Sequence, residues 1–151
     1  MGRHLALAIA ALCVTASATL AQEPEPEPTP DEAAIRSVVL GFKSALAAGD
    51  STAAIGYLHP DLVVYEAGHA ESLAEYRSGH LAADMEFAAA VATRTLEQGL
   101  IVRPGMTLWV SEGESTGEFR GRLIESRGTE TIVLIPTDAG WKILHVHWSS
   151  R

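Results

Sequence analysis

The spacing of apolar residues changes character along the chain. From Ile35, the residues Val38, Val39, Phe42 and Leu46 recur at steps of three and four, one face of an α-helix. Ahead of them, Thr29-Pro30-Asp31-Glu32 offers a capping threonine, a proline at the first helical position and a glutamate that closes a capping box. Gly49 stops this helix. A short second helix, about residues 51–58, ends at His59-Pro60. The stretch 62–66, Leu-Val-Val-Tyr-Glu, reads as a strand. Ser72-Leu-Ala-Glu75 is a second capping box and opens a helix that runs to about residue 89. The remainder reads as strands, at about 90–103, 106–119, 129–136 and 141–149, with turns at Pro104-Gly105 and Asp138-Ala-Gly140. Helices followed by a run of long strands predict an α+β domain, with helices packed on one face of an antiparallel sheet.

Two elements place polar residues where the pattern asks for apolar ones. On the third helix Leu73, Tyr76, His80, Asp84, Phe87 and Val91 form one stripe, which should face the sheet. His80 and Asp84 are one turn apart, close enough to touch. A buried polar group left unpaired costs about 1–3 kcal/mol, so both must meet partners. On the last strand Trp141, Ile143, His145, His147 and Ser149 share one face, and Leu144, Val146 and Trp148 the other. Both sets contain apolar groups, so alternation alone leaves the inward face open. The expectation taken from the helix stripe is that His147 faces inward and meets His80 and Asp84, with His145 as the secondary participant.

Composition adds a compartment. Residues 1–21 begin with Arg3 and His4, continue through an apolar run and end at Thr19-Leu20-Ala21. That is the pattern of a secretory signal peptide, too short for a membrane span, and it predicts a periplasmic or secreted protein. Cys13, the one cysteine, lies inside this leader behind Leu12, where a lipoprotein site wants a small residue. The processed chain is expected to carry no lipid and no disulfide. Residues 22–30 alternate Glu and Pro and read as an extended spacer. One domain, residues 31–151, follows. The formal net charge of −8 deepens once Arg3 is removed, and no basic cluster is present. This argues against nucleic-acid partners and anionic membrane surfaces.

The polar residues support several chemistries. A histidine beside a carboxylate suits proton transfer, which makes His80, Asp84 and His147 the candidate catalytic set. His80 and Asp84 on a helix, with His145 and His147 on a strand, also have permissive spacing for a metal ion, but no signature motif accompanies them, and no metal or cofactor is expected. A third reading is a buried, fully satisfied hydrogen-bonded cluster without a ligand. Trp109 and Trp148 are assigned to packing and Arg120 and Arg122 to a surface loop. Glu71 is read as favouring a helix start, and His59 and His69 as solvated.

The capped first helix, the strand reading Val64-Tyr-Glu-Ala-Gly68 and the closing Gly140-Trp-Lys-Ile-Leu-His-Val-His-Trp-Ser149 resemble the nuclear transport factor 2-like superfamily. Within it the chain is most similar to the SnoaL-like small secreted bacterial proteins. Residues 71–84 resemble that subgroup's helix and residues 129–134 its penultimate strand. The resemblance spans residues 31–150 and implies a cone, a curved antiparallel sheet wrapped around the N-terminal helices with a pocket between them. Superfamily members include ketosteroid isomerase, polyketide cyclases, scytalone dehydratase and the association domain of calmodulin-dependent kinase, so the fold leaves the function open. An isomerase-like site needs a carboxylate base, a tyrosine and a protonated acid. Tyr76, Asp84, Tyr65 and Glu66 are the inward candidates for it. The expectation is a small, partly apolar ligand held by Tyr65, Tyr76, Phe87 and His145. The alternatives are an acid–base isomerase, dehydratase or cyclase using His80, Asp84 and His147, and a non-catalytic dimeric interaction module. A homodimer through the outer sheet face is expected in each case.

Overall fold

The computed structural model describes residues 29–151; the expected leader and all but the last two residues of the spacer lie outside them. The element order is α1 (Pro30–Ala47), α2 (Ser51–Gly56), β1 (Leu58–Glu66), β2 (His69–Ser72), α3 (Leu73–Ser78), α4 (His80–Ala90), β3 (Val91–Arg103), β4 (Met106–Phe119), β5 (Arg122–Thr137) and β6 (Gly140–Ser150). No helix among the described residues is long and apolar enough to cross a membrane.

The first helix forms as its sequence directs. The Thr29 hydroxyl accepts the Glu32 amide at 3.3 Å, and the Thr29 amide donates to the Glu32 carboxylate at 2.9 Å. Its apolar stripe, Ile35, Val39, Phe42 and Leu46, is buried against the sheet. Each such side chain contributes about 1.5–3 kcal/mol by leaving water.

Six strands form a single curved sheet in the order β2-β1-β6-β5-β4-β3. All neighbours are antiparallel except β1 and β6, which run parallel. The inward face carries Leu62 and Val64 of β1, Ile143 and Val146 of β6, Ile132 and Leu134 of β5 and Trp109 of β4, all buried.

Three differences from the sequence reading bear on the site. First, Pro60 does not stop a helix but lies within β1, which begins at Leu58. Second, Ala67 and Gly68, both at positive φ, make a two-residue turn into β2, so His69, Ala70 and Glu71 are strand residues and not loop. Third, the helix expected over 72–89 is two helices that meet at Gly79. The second capping box is present all the same: the Ser72 amide donates to Glu75 at 2.8 Å and the Glu75 amide to the Ser72 hydroxyl at 3.4 Å. The expected strand at 129–136 is longer, reaching back to Arg122.

Candidate functional site

The break at Gly79 sets the geometry of the helical side. A continuous helix would have carried Tyr76, His80 and Asp84 inward together. Instead Tyr76 and Leu81 are buried while His80 is exposed. The Tyr76 hydroxyl donates to Asp84 Oδ2 at 2.8 Å, joining α3 to α4. His80 turns to β2, where its Nδ1 lies 2.5 Å from Glu71 Oε2. His80 and Asp84, expected to touch, are thus each committed to another partner.

Glu66, at the end of β1, completes the group. It follows buried Val64 on the inward face and stands beside Trp148 in register across the sheet. Glu71, paired with Val64, shares that face. Burial holds the Glu66 carboxyl above the usual carboxylate range, and the charge of Asp84 adds to the effect. Asp84 is likewise raised, chiefly by burial; the hydrogen bond from Tyr76 and the charge of His80 offset this only in part. Burial, then Asp84, push the Tyr76 phenol far up, so it remains a proton donor at any working pH. The hydrogen bond to Glu71 raises His80, which favours the imidazolium.

The outcome is two neighbouring half-buried carboxyl groups, each holding a proton to higher pH than free aspartate or glutamate. One is oriented by a buried phenol. A pair formed by half-buried Glu71 and exposed His80 flanks them. In such a site one carboxyl can donate while the other accepts.

The expected role of the strand histidines is corrected here. In β6, Leu144 is an extra residue: Ile143 pairs with Leu134 and His145 with Val133, which are consecutive in β5. A bulge of this kind reverses the phase of alternation. Trp141, Ile143, Val146 and Trp148 therefore lie on the inward side, and His145 and His147 on the outer face. Tyr65, next to Glu66, also points outward and meets both rings edge-on, with centroids 5.2 Å and 6.4 Å away. So His147 does not join His80 and Asp84; the sheet stands between them. Tyr65 and His145 are equally excluded from the concave side. The four-ligand metal set falls with them, and no group of three or more His, Cys, Asp or Glu side chains suited to a metal occurs among the described residues.

Of the expected ligand-side residues, Tyr76 is in the cluster. Phe87 lies one turn from Asp84 on α4 and packs edge-on against Phe119 at 5.2 Å. Two shallow clefts, one lined by Ser51, Thr52, Ile55, Arg77 and Leu81 and the other by Pro60, Leu73, Ala74, Arg77 and Ser78, do not include Glu66 or Asp84.

One residue on the concave face was not singled out from sequence. Glu130 accepts the indole N–H groups of Trp109 and Trp148 at 3.2 and 2.9 Å and the Ser111 hydroxyl at 3.0 Å. Lys43 of α1 lies 2.6 Å from the same carboxylate. This network fixes Trp148, which stacks on Phe42 with centroids 6.5 Å apart, beside Glu66. The signal was present: Glu130 shares the alternation of Ile132 and Leu134, both fully buried.

Solved structures resemble this chain as a whole. No curated protein matches the chain in sequence. A candidate ketosteroid isomerase from Shewanella frigidimarina is 34% identical, with a TM-score of 0.75, and the match covers 80% of this chain and 98% of that one. The S. rosetta CaMKII hub is 19% identical, with a TM-score of 0.70 and coverage of 83% and 100%. An NTF2-like protein with a cystatin-like fold from Novosphingobium aromaticivorans is 14% identical, with a TM-score of 0.62 and coverage of 78% and 80%. The last two share the fold alone. Residues 35–151 match the SnoaL-like domain, and the chain belongs to that family, within the NTF2-like fold.

Proposed function

We propose that this domain binds a small, partly apolar molecule bearing a carbonyl or hydroxyl group, on the concave side of the sheet beside Glu66, Tyr76 and Asp84. The observation that carries the reading is the pair of half-buried carboxyl groups with raised pKa, one of them held by a buried tyrosine. A carboxyl shifted by burial together with a specific charged neighbour is a candidate for a functional role. Trp148 and Phe87 supply apolar surface near the polar cluster.

An acid–base enzyme of isomerase, dehydratase or cyclase type is the second reading, and one specific observation favours it. Burial raises both Glu66 and Asp84, and the charge of Asp84 raises Glu66 further, so a protonated and an ionised carboxyl can stand in one site. The similarity to a candidate ketosteroid isomerase points the same way. In this reading Glu66 takes the place first given to His147. Export, with cleavage after Ala21, and a homodimer through the outer sheet face are part of the same proposal.

Titrating the isotope-labelled protein with a graded series of cyclic ketones and phenols, followed by NMR, tests the site. Shifts should concentrate at Glu66, Asp84, Phe87 and the Trp148 indole. Shifts centred on Tyr65, His145 and His147 instead would move the site to the other face and refute the proposal.

A further inference from the structure

The outer face holds its own arrangement of ligating groups. His145 and His147 rise from the same side of β6, two residues or about 6.6 Å apart along the strand. The Tyr65 ring stands edge-on to both. His145 Nδ1 is 2.8 Å from the Val63 carbonyl oxygen. A carbonyl can only accept, so Nδ1 carries the proton and Nε2 keeps its lone pair. That is the state of a histidine oriented to ligate a metal: the far ring nitrogen donates to a backbone carbonyl, which fixes both tautomer and ring direction. His147 is exposed and makes no side-chain hydrogen bond among the described residues, so its ring can turn toward its neighbour.

We propose that His145 and His147 together chelate a borderline divalent cation, Cu²⁺ most tightly and Zn²⁺ less so, with water filling the remaining positions. Imidazole nitrogen is the ligand these ions prefer in a site without thiolate, and Cu²⁺ leads the affinity order for such ligands. Two rings on one strand face can converge on an ion bound at about 2.0–2.1 Å from each nitrogen. The net charge of −8 draws cations toward the molecule. With two protein ligands the site stays open to exchange and to a further donor. It lies across the sheet from Glu66 and Asp84, and neither site depends on the other.

Isothermal titration of the untagged protein with Cu²⁺ and Zn²⁺, in a non-coordinating buffer, reads the binding directly. A single site is expected, stronger for Cu²⁺. His145→Ala and His147→Ala should each weaken it by about tenfold or more, at least what loss of a ligand's outer partner costs elsewhere. His59→Ala and His69→Ala should leave it unchanged. Electron paramagnetic resonance of the Cu²⁺-loaded wild-type protein needs no variant, and should show coupling to two equivalent-type nitrogens. Absence of binding, binding unaltered in both β6 variants, or a Cu²⁺ spectrum without nitrogen coupling would overturn the proposal.

Discussion

Glu66 ionises against its surroundings, and this has a measurable consequence for stability. Its folded-state pKa lies above the unfolded value, so between the two the native chain binds more protons than the unfolded chain. Stability therefore falls as pH rises through that window, and above it the charged carboxylate is a standing cost. Glu66→Gln keeps the shape and removes the titration. It should stabilise the protein near neutral pH by the order of 1 kcal/mol, as relief of a functional-site cost commonly does. Below about pH 4, where an ordinary glutamate is protonated, the difference should vanish. His80 shifts stability with pH in the same sense, although there it is the charged form that is favoured: its raised pKa contributes stability that is complete below the ordinary histidine value and lost as pH rises through the raised one. Thermal melts of Glu66→Gln at about pH 4 and about pH 7.5 check the first statement, and a variant less stable than wild type near neutrality would contradict it. At this scale the sequence was informative about residue types and misleading about partners. Asp84 and Tyr76 were legible from helical spacing. Glu71 was not, because its role depends on a hairpin that swings it toward His80.

Among the elements, legibility follows how local the determining interaction is. Both capping boxes are read from four consecutive residues, and both form. The bulge at Leu144 is a tertiary event, set by the pairing of β6 with β5 and β1, and no local pattern announces it. It sends the two histidines outward. Close approach of elements is similarly hidden. At Gly117 on β4, an added Cβ would sit 2.8 Å from the Ala90 carbonyl oxygen and 3.0 Å from Val91 Cα, at the junction of α4 and β3. Both obstacles are backbone, so the strands must separate to admit it. Gly117→Ala should destabilise by about 1–3 kcal/mol, the usual cost of overpacking. Gly56→Ala, with nothing within 4 Å, should be neutral or slightly stabilising, by about 0.5 kcal/mol at most for a residue at a helix end. Chemical denaturation of the two variants separates them. Equal stability would mean that β4 does not approach the α4–β3 junction so closely.

For the whole molecule, the outer sheet face invites a partner over its β3–β5 half. Val146 and Trp148 face the core and supply no outer apolar surface. Exposed Ile101 on β3, and half-buried Leu108, Val110, Val133 and Ile135 on β4 and β5, do supply it. A contiguous apolar surface of this kind is commonly covered in solution. We propose that a second copy covers the β3–β5 half of this face, leaving Tyr65, His145 and His147 open. Native mass spectrometry of the exported protein should give two chains, each beginning at Gln22 without lipid. A monomer at every concentration, or a chain retaining residues 1–21, would refute the corresponding part. The fold class was legible from the order of helices and strands, since that order limits how the layers can be arranged. The position of the working site was not, because it depends on which sheet face each strand residue takes.

The central proposal is that the working site, with its proton transfer in the acid–base reading, lies with Glu66 and Asp84 on the concave side and not with the histidines of β6. Uptake of deuterium from heavy water into an enolisable cyclic ketone measures it directly, comparing wild type with Glu66→Gln, Asp84→Asn and His147→Ala. The account predicts exchange catalysed equally by wild type and His147→Ala, and a loss of about 10²-fold or more in each carboxyl variant, the usual worth of a positioned acid or base. Exchange that survives in both carboxyl variants, or that disappears in His147→Ala, would contradict it.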